Sequence, residues 1–336
     1  MTNVRKMCAQ VAVCLSLAML AAGVPASAAV MPPFDQLPTG PAPTSVPYAI
    51  GTRIFYQGQI FVVPSTSGST TNLVRVQPYH GNVLTSVYRS GSVDYQGYAG
   101  LIGPTSAWHV IPGYIDLPAD STLAGQLLRV TDRDVAQVVD TSTGAIVYQT
   151  PVGGGVFGDA KTVGAKVLIH RSGYGTPEDD VIWDPPTGAV TLLGATRYLV
   201  AQRRSPGWLW RESGGGCFAL VTLSAPTATG TRFCHDSIAP PLLSFDGTIA
   251  ITVRAGRLVA VSVASGQVLS TGSMGAISGT GRSVQPVQWE TSSAYLAHAT
   301  WDGQLALVRC HVSDGQCERV VRSYVRGSIR GIVVGW

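Results

Sequence analysis

The stretch "LVAVSVASGQVLSTG" (Leu258 to Gly272) decides the fold. Two runs rich in β-branched and apolar residues flank Ala264-Ser265-Gly266, a turn ending on the residue type that most readily takes a positive φ. That is a β-hairpin pattern, and it recurs. "AQVVDTSTGAIVYQTPV" (Ala136 to Val152) carries Gly144, "DVIWDPPTGAVTLLG" (Asp180 to Gly194) carries Gly188, and "ALVRCHVSDGQCERV" (Ala306 to Val320) carries Gly315. Gly230 closes "SAPTATG", and upstream Gly103 in "LIGPTSAW" and Gly68 in "STSGSTTNLV" extend the series. A period of roughly 40 residues made only of strands predicts an all-β chain of four-stranded antiparallel blades, a β-propeller. The seven glycine marks between Pro47 and Trp336 favour seven blades, and the weaker upstream marks leave six or eight open. Two β-sandwiches would show a linker near the middle of the chain, and none is there. A closed ring also predicts that "PYAIGTRIFY" (Pro47 to Tyr56) pairs with the C-terminal strands, because an open ring would expose strand edges.

The ends of the chain read differently. Residues 1–28 have Arg5 and Lys6, an apolar run from Val11 to Ala22, and Ala26-Ser27-Ala28, the pattern of a secretory signal peptide cleaved after Ala28. An uncleaved anchor is the alternative, although the run is short against the roughly 20 residues a membrane-spanning helix needs. Residues 29–47 hold six prolines and read as an extended linker, which leaves 48–336 for the propeller. Removing Arg5 and Lys6 from 23 basic residues leaves near-balance with 19 acidic ones, so no strong field for nucleic acid is expected. No later segment is apolar for long enough to span a membrane. Charged residues make up 12% of the chain, against about a quarter in ordinary domains. Gly, Ser, Thr and Val take their place.

With the signal go Cys8 and Cys14, leaving Cys217, Cys234, Cys310 and Cys317. An even number in an exported chain points to disulfides. Cys217 and Cys234 flank one hairpin turn and Cys310 and Cys317 another, so local pairing, Cys217 with Cys234 and Cys310 with Cys317, is expected. Reduced thiols and a metal site are the competing readings. Zinc normally calls for Cys-x2-4-Cys spacing or converging histidines, and His235 and His311 only adjoin cysteines.

"LLSFDGTIAITVRAGRLVAVSVASGQVL" (Leu242 to Leu269) is similar to the WD40-like repeats of TolB-type propellers, in which a Ser-x-Asp-Gly turn leads into a strand. "VVDTSTGAIVYQ" (Val138 to Gln149) resembles a repeat of the quinoprotein-like propellers, which carry Asp-x-x-Thr-Gly. That pattern usually continues to a Trp, and Tyr148 lies near its place, so the resemblance implies blade shape and no bound quinone. The chain as a whole looks like the secreted propellers of actinobacteria.

Chemistry is sparse. "GGGVFG" (Gly153 to Gly158) matches G-x-G-x-x-G, but a strand pattern follows it where a phosphate site needs a helix N-terminus. Glu178, Asp179 and Asp180 concentrate carboxylates, as a calcium site or an acid/base pair would. Neighbours on a strand point to opposite faces, however, which opposes cooperation between Asp179 and Asp180. In "RRSPGWLWRE" (Arg203 to Glu212), Arg203 and Arg204 beside Trp208 suit an acidic-glycan contact, while the alternation of Trp208 and Trp210 suits packing between blades. No catalytic residue, cofactor or metal is expected. The reading is a secreted, monomeric, non-catalytic propeller that binds a protein or a cell-envelope glycan. The alternative is an exported hydrolase or lyase whose site is assembled in the central funnel from several blades.

Overall fold

The structure, a computed structural model, describes residues 31–64, 70–90, 95–111, 126–130, 135–140, 143–151, 160–173, 176–194, 196–201, 207–234, 240–324 and 332–334. The signal-peptide reading, "GGGVFG", Gly68 and His235 lie outside them.

The strands follow one another in groups. The first group is β1 (Tyr48–Ile50), β2 (Arg53–Tyr56) and β3 (Gln59–Val62). Next come β4 (Thr70–Tyr79), β5 (Asn82–Ser90), β6 (Tyr95–Gly103) and β7 (Ser106–Ile111), then β8 (Gln126–Val130), β9 (Val135–Asp140) and β10 (Ile146–Pro151). The fourth group is β11 (Ala160–Val163), β12 (Lys166–Gly173), β13 (Thr176–Asp184) and β14 (Ala189–Gly194). The fifth is β15 (Tyr198–Val200), β16 (Trp208–Glu212), β17 (Cys217–Thr222) and β18 (Arg232–Cys234). Then follow β19 (Leu242–Leu243), β20 (Ile249–Arg254), β21 (Arg257–Ser262) and β22 (Val268–Thr271). The last group is β23 (Arg282–Trp289), β24 (Ala294–Trp301), β25 (Gln304–His311) and β26 (Cys317–Tyr324), before a final strand, β27 (Ile332–Val334).

Each group is an antiparallel meander, and β27 joins the first to give the order β27-β1-β2-β3. Six four-stranded blades result, one of the counts that the spacing allowed, together with a three-stranded sheet, β10-β9-β8. The preferred count of seven four-stranded blades is not reached among the described residues. The hairpin at Gly144 matches the one between third and fourth strands elsewhere, so β8, β9 and β10 correspond to second, third and fourth strands.

The glycine marks have two physical origins. Gly144, Gly188, Gly266 and Gly315 have φ of 73°, 72°, 71° and 70°, and each donates its N–H to the carbonyl four residues upstream, at 2.8, 2.8, 2.8 and 3.0 Å. One turn geometry is therefore used at four blades, and an L side chain would strain it. Gly230 serves a close approach instead: a Cβ there would stand 2.0 Å from the Leu220 carbonyl oxygen. In the first blade the corresponding hairpin is Gln57-Gly58, with φ of 52° and 73°, a two-residue turn with both residues left-handed. Gly58, and not Gly68, marks that blade.

First strands of neighbouring sheets lie side by side, β27 by β4, β11 by β15 and β19 by β23, so they line the axis and fourth strands form the rim. The core is divided into slabs between sheets, each built by the inward alternation of facing strands. Ala49, Ile54 and Tyr56 meet Val76, Val83 and Val87, Val163, Leu168 and Ile182 meet Tyr198, Leu209 and Val221, and Ile251, Val253 and Leu258 meet Tyr295, Ala297 and Trp301.

Closure is double. At the axis, β27 pairs with β1 in the register Tyr48↔Val334, Ala49↔Val333 and Ile50↔Ile332, as the ring argument required. At the rim, the segment from Pro33 straps the last blade. Phe34, in a 3-10 turn (Pro33–Asp35), is fully buried with Met274 and Ile277. Thr39 then forms a parallel bridge with Arg319 on β26, with Arg319 N–H donating to Pro38 O at 2.8 Å and Gly40 N–H to Arg319 O at 3.0 Å. Val46 ends the strap in the slab between last and first blades.

Candidate functional site

The acidic stretch on β13 faces β12 in the register His170↔Asp180 and Arg171↔Asp179. Strand alternation separates the two carboxylates. Asp179 takes a bidentate pair from Arg171, Nε to Oδ1 and Nη2 to Oδ2, both at 2.6 Å, and that hydrogen-bonded cation holds its carboxyl below the usual range. Asp180 is fully buried. Its Oδ1 lies 2.7 Å from His170 Nδ1, and its Oδ2 accepts the backbone N–H of Tyr198 from the next blade. Burial pushes the Asp180 carboxyl up, and the bonds from Tyr198 and His170 oppose that without cancelling it. Asp180 therefore ties two blades together. Glu178 lies on the same strand, with its side chain outside the described ones.

Beside this pair is a cleft between β11–β12 and β15. Lys161, His170 and Arg197 line it with Leu168, Tyr198, Leu199 and Val200, and it encloses about 20 Å³. That is room for one water molecule, far too little for a sugar ring or a peptide side chain. Chemically the cleft can hydrate the hydrogen-bonded His170–Asp180 pair.

Four further carboxylates are also engaged. Arg309 is held between Glu290 and Glu318, with Nη2 at 2.8 Å from Glu290 Oε1 and further bonds from Nε to Glu290 and Nη1 to Glu318. Asp35 of the strap receives Arg319 and, at 2.9 Å, Arg322. Asp246 accepts Ser244 Oγ at 2.7 Å and Thr248 Oγ1 at 2.8 Å, which closes the Ser-Phe-Asp-Gly turn and lowers its carboxyl. The Asp246 turn is local and was read in the sequence, whereas the ion pairs join segments through a register that the fold sets. A signal for one existed: a basic pair, His170-Arg171, lies one hairpin before the acidic pair Asp179-Asp180.

Trp208 and Trp210 share a face of β16, as the alternation suggested. Trp210 is fully buried, edge-on to Phe233 at 5.3 Å, in the slab shared with Leu243, Ala250 and Val259. Trp208 packs partly buried against the same slab, near Gly247. Arg203 and Arg204 lie outside the described residues. Both expected disulfides are present: Cys217 and Cys234 are directly opposed on β17 and β18, and Cys310 and Cys317 on β25 and β26. Among the described residues no three His, Cys, Asp or Glu side chains gather to hold a metal, and no helix is long and apolar enough to cross a membrane.

No family model matches the chain, and no curated protein matches it. Solved structures do. The structure titled "Complex of KlAtg21 with coiled-coil of AgAtg16" superposes with a TM-score of 0.53 at 12% identity, covering 86% of this chain and 99% of that one. The C-terminal WD40 domain of Sif2 gives 0.50 at 12%, covering 84% and 83%, and U3-55K gives 0.50 at 9%, covering 86% and 88%. Identities this low speak for architecture alone, and the architecture they support is a WD40-like β-propeller.

Proposed function

We propose that this chain is an exported, non-catalytic β-propeller that acts as a scaffold for a protein partner, with a cell-envelope glycan as the second ligand class. The observation that carries the reading is the state of its carboxylates. Asp179, Asp180, Asp246, Glu290 and Glu318 are each committed to a hydrogen-bonding side chain or a turn, and the cleft where acid, histidine and arginine come nearest has room for one water. A general acid or nucleophile must reach its substrate, and the groups best placed by charge are spent on the fold. The neighbours support the partner class, since one of them was solved with a coiled-coil. Two disulfides suit export, and with it the signal-peptide reading, the actinobacterial TolB-like resemblance and the monomeric state belong to this proposal. Arg203 and Arg204, in the connection from β15 to β16, are offered as contacts.

The test is an array of peptides and oligosaccharides probed with the purified, oxidised chain, followed by mass spectrometry of every bound ligand. Saturable binding with ligand masses unchanged is expected. Release of a cleaved product would transfer the chain to the hydrolase or lyase class.

A further inference from the structure

Among the described residues, apolar exposure is concentrated on the rim strands. Of the eleven large apolar side chains exposed among the described residues, nine lie on rim strands: Ile60 and Val62 on β3, Val110 on β7, Ile146 and Val147 on β10, Val190 and Leu192 on β14, and Val268 and Leu269 on β22. These five strands carry no Asp, Glu, Lys or Arg. Each ends its sheet, so every second residue along it turns a backbone N–H and C=O outward. Soluble proteins usually blunt such edges with charge, proline or a covering segment. β26 shows the contrast. It carries Glu318, Arg319 and Arg322, and residues 38–40 cover its edge as an added parallel strand, anchored by Phe34 and Asp35.

We infer that the rim edge of β14 takes up an extended, uncharged, β-branched segment of a protein partner. Among the open edges β14 best joins length to apolar exposure. β3 and β22 are four residues long, β10 contains Pro151, β18 carries Arg232, and β7, six residues without proline like β14, exposes one large apolar side chain among the described ones, Val110. β14 pairs regularly over Ala189–Leu192 before a register shift ahead of Gly194, with Val190 46% and Leu192 61% exposed. The occupant follows from the chemistry of the edge. Outward amides and carbonyls in strand register are satisfied by another extended backbone; a lipid surface leaves them unpaired. Charge matching excludes a polyanionic or polycationic chain, because the edge offers no counter-charge. A second rigid copy is disfavoured by area, since two six-residue edges bury far less than the roughly 1,200–2,000 Å² of a specific interface. A flexible segment escapes that limit by adding an anchor beyond the edge, as the strap does with Phe34. This inference rests on the scaffold reading and moves the contact from the loops to the rim.

The test uses the full oxidised chain as bait for a phage-displayed library of random decapeptides. Enriched peptides are synthesised, their affinities measured by fluorescence anisotropy, and their footprints mapped by amide hydrogen exchange. The expected peptides are uncharged and rich in Val, Ile and Thr. Binding should slow exchange across Ala189–Gly194, and Leu192→Lys should weaken it about tenfold by placing a desolvated charge on the edge, whereas Leu269→Lys on β22 leaves it unchanged. Leu192 is exposed, so the lysine variant keeps the native circular dichroism spectrum. Enriched peptides that are charged, or that slow exchange at the hairpin turns, overturn the rim assignment while the scaffold reading stands. A library without any binder overturns both. Concentration-dependent dimers in sedimentation that Leu192→Lys abolishes would make a second copy the occupant and refute the partner segment.

Discussion

Two rim strands, β26 and β14, occupy equivalent positions in their blades and have opposite chemistry. β26 is charged and covered; β14 is uncharged and open. If charge served only to repel stray strands, the pattern would be reversed, with charges on the open edge. On β26 the charges are attachment points: Arg319 and Arg322 grip Asp35, while Glu318 joins Glu290 around Arg309. The comparison teaches that edge charge here holds the chain's own segment in place, and that its absence on β14 marks an edge left for another chain.

That contrast can be broken at several points. The largest effect is expected at Arg309, which is nearly buried and neutralises two carboxylates. Arg309→Met strands both and should cost about 4 kcal/mol in urea unfolding, whereas a loss under 1 kcal/mol would mean that the network is solvated. Phe34→Ala empties the slot against Met274 and Ile277 and should remove about 3 kcal/mol from strap docking. The readout is lost amide protection at Gly40 and Arg319, with β14 unchanged.

The last blade also contains an unpaired group of its own. His298 on β24 has its Nε2 enclosed without a partner, and burial pushes its imidazolium down to about 4 from 6.5. The unfolded chain then binds more protons between those values, so stability is complete above pH 6.5 and falls as the pH drops toward about 4. The total is about 3 kcal/mol. Asp180, whose carboxyl is raised by burial, acts with the opposite sign, its contribution falling as the pH rises from 3.8. Comparing wild type with His298→Leu isolates the histidine: the variant should lose the slope between pH 6.5 and 4 and match or exceed wild-type stability at pH 5. A persistent slope would assign it elsewhere. The smallest effect belongs to the open edge. Leu192→Lys should shift unfolding by less than about 0.5 kcal/mol, because the side chain is already in water, and a larger loss would show that β14 carries packing.

How much of this was legible depended on the range of the interaction. The hairpins at Gly144, Gly188, Gly266 and Gly315 were readable because a left-handed turn between β-branched runs is a local constraint. The disulfides were readable because register across one turn is local too. The first-blade mark was misplaced because Gly68 has the composition of a turn, while Gly58, in the two-residue turn of "RIFYQGQIFV", lies between runs that the eye joins into one strand. Asp180 with Tyr198 of the next blade, Arg309 with Glu290 and Phe34 in its slot were hidden, since they require knowing which strands and blades adjoin. The proline-rich segment shows this best: its composition speaks of extension, and nothing in it announces that Phe34 packs on Met274 and Ile277 or that Asp35 pairs with Arg319, 284 residues on.

The most direct test of the central contrast is native-state amide exchange of the free protein, resolved to single residues. The account predicts that the N–H groups of Gly40 and Arg319 exchange slowly, as members of a covered edge, while alternate amides of Ala189–Gly194 exchange close to the rate of exposed chain. Equal protection on β26 and β14, or fast exchange on both, would contradict it.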